Sequence, residues 1–206
     1  MDSMSGHELD ESNASDWEQI PLPKALSKLR DETQVAHCML WFRTTQSHNA
    51  FSFLQLRFDG LLGFPGGVVD EDITSIESII DALQREIHEE INFETTISVD
   101  DYIYSFYNKN LRIVSHFFAK QITLKDAESI EECHMKARDF PHESLGLFRI
   151  PIGCSYNRDS YYLRRFAKNF LRQKFSGNVK KQIIDVCEKF KIMSSHDLNF
   201  FKAQLQ

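Results

Sequence analysis

The stretch that decides the reading runs from Gly63 to Glu94, GFPGGVVDEDITSIESIIDALQREIHEEINFE. It opens on a glycine turn, crosses an acidic loop and ends in a helical pattern carrying Glu86, Glu89 and Glu90 with no lysine among them. Thr74 and Glu77 have the spacing of a capping box, which predicts a helix beginning near Ser75. At about 100° per residue, Ile76, Ile80, Leu83, Ile87 and Ile91 share a narrow arc, the stripe of a helix face that packs on a core. Glu90, Glu86 and Glu89 follow in order around one flank of that stripe, Glu90 nearest the core. Asn92 is expected to end the helix, because asparagine tolerates the left-handed conformation found there.

Carboxylates at i, i+3 and i+4 repel one another, and at a helix C-terminus they also oppose the macrodipole. Each such contact costs a few tenths of a kcal/mol up to about 1 kcal/mol, which a bound cation offsets. An all-oxygen cluster without cysteine favours Mg²⁺ or Mn²⁺ over Zn²⁺. His88 points almost opposite Glu86 around the helix and reads as a surface residue. Upstream, GFPGG requires a tight turn, and its glycines allow backbone atoms to approach a ligand closely. A close-approach turn joined to REIHEE suits a pyrophosphate bridged by metal ions.

The 206 residues, 42% apolar with 17 phenylalanines, suffice for one domain with a full core. The net charge of −6 argues against a general polyanion binder. Cysteines at 38, 133, 154 and 187 form no CxxC pair, which fits reduced thiols better than a disulfide framework or zinc site. The chain shows neither an apolar run of membrane-spanning length nor a signal sequence at its start, so a location in the nucleus and/or cytoplasm is expected. Residues 1–30, acidic and poor in apolar side chains, read as a disordered tail, and 31–206 as the domain. Strand signals fall at 36–44, 51–58, 102–107, 112–122 and 145–152, and helical spacing at 75–91, 124–136, 160–173 and 179–191. That order predicts an α/β fold, a mixed sheet covered by helices on both faces.

Glu77, seven intervening residues, then Arg85, Glu86, Ile87, any residue, Glu89 and Glu90 resemble the box of the Nudix hydrolases, Gx5Ex7REUxEExGU with U apolar. Two departures stand out: nine residues rather than five separate Gly67 from Glu77, and Asn92 replaces the box glycine. The first lengthens the loop and the second preserves the backbone role, so neither removes a carboxylate. RFDGLLGFPGG, SHFFAK, ESLGLFRIPI and FSGNVKKQ are further similar to the branch of the snoRNA-decapping enzyme, also described as an inosine diphosphate phosphatase.

The resemblance implies a Nudix α/β/α sandwich with additional C-terminal helices, a homodimer. It implies an enzyme that uses Mg²⁺ or Mn²⁺ to cleave diphosphate bonds in capped RNA, in inosine or deoxyinosine nucleotides, or in protein-linked ADP-ribose. It also implies that Glu86, Glu89, Glu90 and the Gly66 carbonyl bind metal, with one of the glutamates or Glu143 as the base. Arg85 is expected to orient the box by pairing with Glu77. For the purine nucleotide diphosphate it implies His37 and Gln182, while Arg57 can reach a phosphate or base edge and Phe64 can stack on the base. The branch also contains a relative that has lost its catalytic glutamates, so a non-catalytic RNA- or protein-binding module is the alternative. Arg158 to Lys191 holds ten lysines and arginines against three acids, interleaved with aromatics, a composition that can track single-stranded RNA or form the wet face of an amphipathic helix.

Overall fold

The computed structural model describes residues 16–45, 49–70, 73–154 and 157–205. In chain order its elements are β1 (Trp17–Ile20), α1 (Leu22–Lys28), β2 (Thr33–Arg43), β3 (Ala50–Arg57), β4 (Leu62–Gly63), β5 (Gly66–Val68), α2 (Ile76–Ile91), β6 (Tyr102–Asn108), β7 (Ile113–Gln121), α3 (Leu124–Cys133), β8 (Ser144–Gly153), α4 (Asn157–Phe170), α5 (Val179–Lys189) and α6 (Ser195–Ala203). The strands form one mixed sheet in the order β1-β6-β7-β2-β3-β4, with β5 added to β2 and β8 to β3. β2 and β7 run parallel in register from Thr33 beside Ile113 to Trp41 beside Gln121. The other pairings are antiparallel.

The layers follow from the two-residue period of a strand. On β2, Met39 and Trp41 join Leu163 and Ala167 of α4, Ile183 and Val186 of α5 and Phe201 of α6. Ala36, Cys38, Leu40 and Phe42 point the other way, to Ile79, Leu83 and Ile87 of α2 and Ile130 of α3. The result is an α/β/α sandwich. Burying a leucine such as Leu83, with no exposed surface, contributes about 1.5–3 kcal/mol.

Helix α2 starts one residue later than the Thr74–Glu77 box would require. Ser75, in extended conformation, is its cap: the Ser75 hydroxyl accepts from the Glu77 amide, and Ser78 Oγ accepts from the Ser75 amide. Glu77 is left exposed in the first turn. At the other end Asn92 adopts φ 53° and ψ 44°, the left-handed stop expected of it.

Residues 17–28, which composition assigned to the acidic tail, carry β1 and α1. The first fifteen residues of that tail lie outside the described residues, but Trp17–Ile20 pairs with β6, and Ile20 and Ala25 of the next helix pack on Val114. A four-residue strand and a seven-residue helix are too short for periodicity to reveal, and pairing with β6 is what forms the strand. Helix α6 also escaped the sequence reading; Ser194 caps it by accepting from the Asp197 amide.

Candidate active site

Helix α2 ends where the sheet splits. β3 pairs with β2 only over Trp41, Phe42 and Arg43, and beside Val35, Ala36 and His37 its place is taken by β5. Glu90 enters this split. Its Oε1 accepts from Gln55 Nε2 of β3 at 2.9 Å, and its Oε2 accepts from the Gly66 amide of β5 at 2.7 Å. The residue is 5% exposed. Burial pushes its carboxyl pKa up to about 8, outweighing the two donated hydrogen bonds, while Glu86 adds to the rise and Arg57 opposes it.

The two glycines of β5 let the carboxylates lie against the strand. Gly66 has φ +133°, and a Cβ there would strike the Ala36 carbonyl and lie 2.8 Å from His37 Cα. A Cβ on Gly67 would overlap the Glu86 carboxylate, 2.8 Å from its Cδ. Glu86 is half-buried and accepts from Arg85 Nη1 at 2.6 Å. Burial is the main cause that raises its pKa, with Glu89 and Glu143 adding and Arg85 opposing.

Glu89 accepts from Arg85 Nη1 at 3.1 Å and also pairs with Arg138, which the sequence reading did not single out. Arg138 is oriented by Asp139, Nε to Oδ1 at 2.9 Å, and the Asp139 amide donates to the Glu89 carbonyl at 3.0 Å. This ties the loop before β8 to the end of α2 and brings Glu143, exposed on that loop, within electrostatic reach of Glu86. Arg85 does not pair with Glu77 as expected; its partners include Glu86, Glu89 and Asp70. Glu77 lies two turns away, about 12 Å along the axis, whereas Glu89 is the i+4 neighbour. His88 is exposed and takes no part in the cluster.

Among the described residues no three His, Cys, Asp or Glu side chains converge closely enough to hold a metal ion. The donor set nonetheless fits a hard divalent cation. It consists of Glu86, Glu89 and Glu90 with the Gly66 backbone, all oxygen, and beside Glu90 the buried Gln55 Oε1 has no hydrogen-bond partner.

His37, Arg57, Phe64 and Gln182 line a single cleft on the opposite sheet face from α2. Val35 and His37 of β2 form its floor with Ile113 and Ser115 of β7, and Ser176 to Gln182 close one side. Burial pushes the His37 imidazole pKa down to about 3, with Arg57 adding. The ring is therefore neutral at pH 7, with one donor and one acceptor nitrogen. Arg57 is fixed by Asp59, Nε and Nη2 donating to Oδ2 at 3.1 and 3.0 Å, a partner whose only sequence signal is the acid two residues on in RFDG. Phe64 does not offer the open stacking face suggested for it: its ring has no exposed surface and packs 5.6 Å from that of Phe117. In the basic stretch, Arg164 is committed to the buried Asp197 at 2.9 Å, while Arg165, Lys168, Arg172 and Lys174 are exposed.

The family described as "Nudt16-like: U8 snoRNA-decapping enzyme-like" matches residues 34–193. This chain belongs to the Nudix hydrolases, in that branch. As a Nudix hydrolase it acts on phosphoric anhydride bonds, and Nudix enzymes generally use divalent metal ions. It is 34% identical over 146 residues to the U8 snoRNA-decapping enzyme of Mus musculus, covering 68% of this chain and 69% of that one. It is 33% identical over 146 residues to the Tudor-interacting repair regulator protein of the same organism, covering 70% and 65%. A mutT/nudix family protein from Listeria innocua shares the fold at 14% identity with a TM-score of 0.51, covering 77% of this Nudix chain and 94% of its own. No helix among the described residues is long and apolar enough to cross a membrane.

Proposed function

We propose that this Nudix hydrolase is an Mg²⁺- or Mn²⁺-dependent diphosphatase of purine nucleotides, inosine and deoxyinosine diphosphate, and of RNA 5′ caps. The observation that carries the reading is the shared anchor at Gly66. Its amide holds Glu90 on one side while its strand pairs with His37, which lines the cleft on the other. A base in the cleft would lie one strand pair away from the carboxylate cluster, and its diphosphate would reach the cluster by passing around the β5 glycines.

Glu86, Glu89, Glu90 and the Gly66 carbonyl would hold the cation. When bound, the cation neutralises phosphate charge and lowers the pKa of a coordinated water. Neutral His37 and the Gln182 amide offer hydrogen bonds to a base edge, and Arg57, aligned by Asp59, faces the phosphates. Glu143 is the exposed carboxylate beside Glu86 and can accept a proton from the attacking water.

For longer substrates, Arg165, Lys168, Arg172 and Lys174 are exposed, and a groove of about 640 Å³ lined by Phe148, Phe166, Phe170 and Asn169 adjoins Lys174. This pairing of cations with aromatic faces supports contact with capped RNA. Resemblance to the branch supports a homodimer acting in the nucleus and/or cytoplasm. The retained Glu86, Glu89 and Glu90 favour catalysis over a purely RNA- or protein-binding module.

The test is product analysis on inosine diphosphate, deoxyinosine diphosphate, capped oligonucleotide and ADP-ribose with Mg²⁺ or Mn²⁺. Cleavage of the diphosphate bond is expected, with Glu89→Gln and Glu90→Gln inactive. Turnover within threefold of the parent in both variants would overturn the assignment.

A further inference from the structure

Two aromatic residues line the cleft among the described residues, Phe64 and Trp17. Phe64 is consumed by the core, whereas Trp17 is only partly buried. Trp17 lies outside the 34–193 family match, in a stretch whose composition reads as an unstructured tail.

Its place is nevertheless fixed. Trp17 is the first residue of β1, in register with Asn108 of β6, and Asn110 Nδ2 donates to Asp16 Oδ2 at 3.2 Å just ahead of it. The partly buried indole packs against the apolar cluster on this face of the sheet and also lines the cleft. The cleft is narrow, with about 40 Å³ of free space, enough for roughly three waters and too little for a purine. A wall must yield. His37 sits on central strand β2 and Phe64 and Val179 are buried in the core, but Trp17 rides on a four-residue edge strand.

We propose that Trp17 is the base-stacking, specificity-determining residue of this site, the indole of β1 shifting outward to cover the face of a purine. The proposal rests on the reading of the cleft as a nucleotide site and adds the selectivity that reading lacks. A bicyclic purine offers the indole more overlap than a pyrimidine does.

The experiment compares the parent, Trp17→Ala and Trp17→Phe. Trp17→Ala is expected to raise the KM for inosine diphosphate about tenfold, equivalent to about 1.4 kcal/mol, with kcat within twofold. Trp17→Phe should lie between. Preference for inosine over uridine diphosphate should shrink in step, and ribose 5-diphosphate, which lacks a base, should be hydrolysed as by the parent. Inosine monophosphate should quench the tryptophan fluorescence of the parent, and the quenching should vanish in Trp17→Phe, where the buried Trp41 remains. If the parent neither binds nor hydrolyses inosine diphosphate, the nucleotide reading falls and this proposal with it. If the parent does both but Trp17→Ala keeps its KM, or loses equally on ribose 5-diphosphate, Trp17 is structural and only this proposal falls.

Discussion

Replacing Glu90 by glutamine removes a charge that the folded chain carries in a poor solvent. The carboxyl is 5% exposed and its pKa stands at about 8 against an ordinary 4.5. Because the folded value is the higher one, the stability contributed by the neutral form is complete below about pH 4.5 and is lost as pH rises through 8. At about 1.36 kcal/mol for each factor of ten, full ionisation costs at most about 5 kcal/mol.

Glutamine avoids that cost at little loss of contact. Its oxygen can accept from the Gly66 amide, and its N–H can donate to Gln55 Oε1, which has no partner in the parent. With chelator present at pH 9, Glu90→Gln should therefore melt above the parent by up to about 10–20 °C, taking roughly 2–4 °C per kcal/mol for a chain of this size. The gap should close by pH 5. Calorimetry from pH 5 to 9 measures it, and Mn²⁺ at pH 8 should then raise the melting temperature of the parent but not of the variant. Equal melting temperatures at pH 9 would refute the buried, cation-free environment ascribed to Glu90.

Four further outcomes are expected. Gly67→Ala displaces only the Glu86 side chain and should lower kcat/KM at least tenfold with little change in melting temperature. Gly66→Ala drives a Cβ into the Ala36 backbone at φ +133° and should destabilise the fold by about 2 kcal/mol or more in urea titration. Phe64→Ala should cost about 3–5 kcal/mol of stability, as a core cavity does, rather than act only on KM. Arg164→Gln leaves the buried Asp197 without its cation, held only by hydroxyls such as those of Ser160 and Ser194, and should cost up to about 3–5 kcal/mol, whereas Arg165→Gln with Lys168→Gln should leave stability unchanged and weaken capped-RNA binding, with a flatter salt dependence.

What was legible in the sequence is local. The apolar stripe of α2, the order of Glu90, Glu86 and Glu89 around its flank, and the stop at Asn92 all follow from helical period and backbone preference within a few turns. The aromatic and β-branched runs likewise predicted β2, β3, β6, β7 and β8. Errors entered where partners are distant or elements short. The capping box slipped by one residue because Thr74 and Ser75 are both competent caps and the entering loop decides between them. Trp17–Ile20 is a strand only because β6 offers it an edge.

The sequence by itself placed three carboxylates and two glycines on one turn and the helix it feeds; of these, Glu90 meets Gly66 and Glu86 lies against Gly67, while Glu89 turns to Arg85 and Arg138. Tertiary structure decided their chemistry. Glu90 is held by Gln55 and Gly66, 35 and 24 residues away, and is buried because the sheet splits where α2 ends. The same long-range packing turned Phe64 into core, bound Arg164 to Asp197 and brought Trp17 to the cleft. Period and propensity are properties of neighbours along the chain, whereas burial and partnership depend on which strand faces which helix.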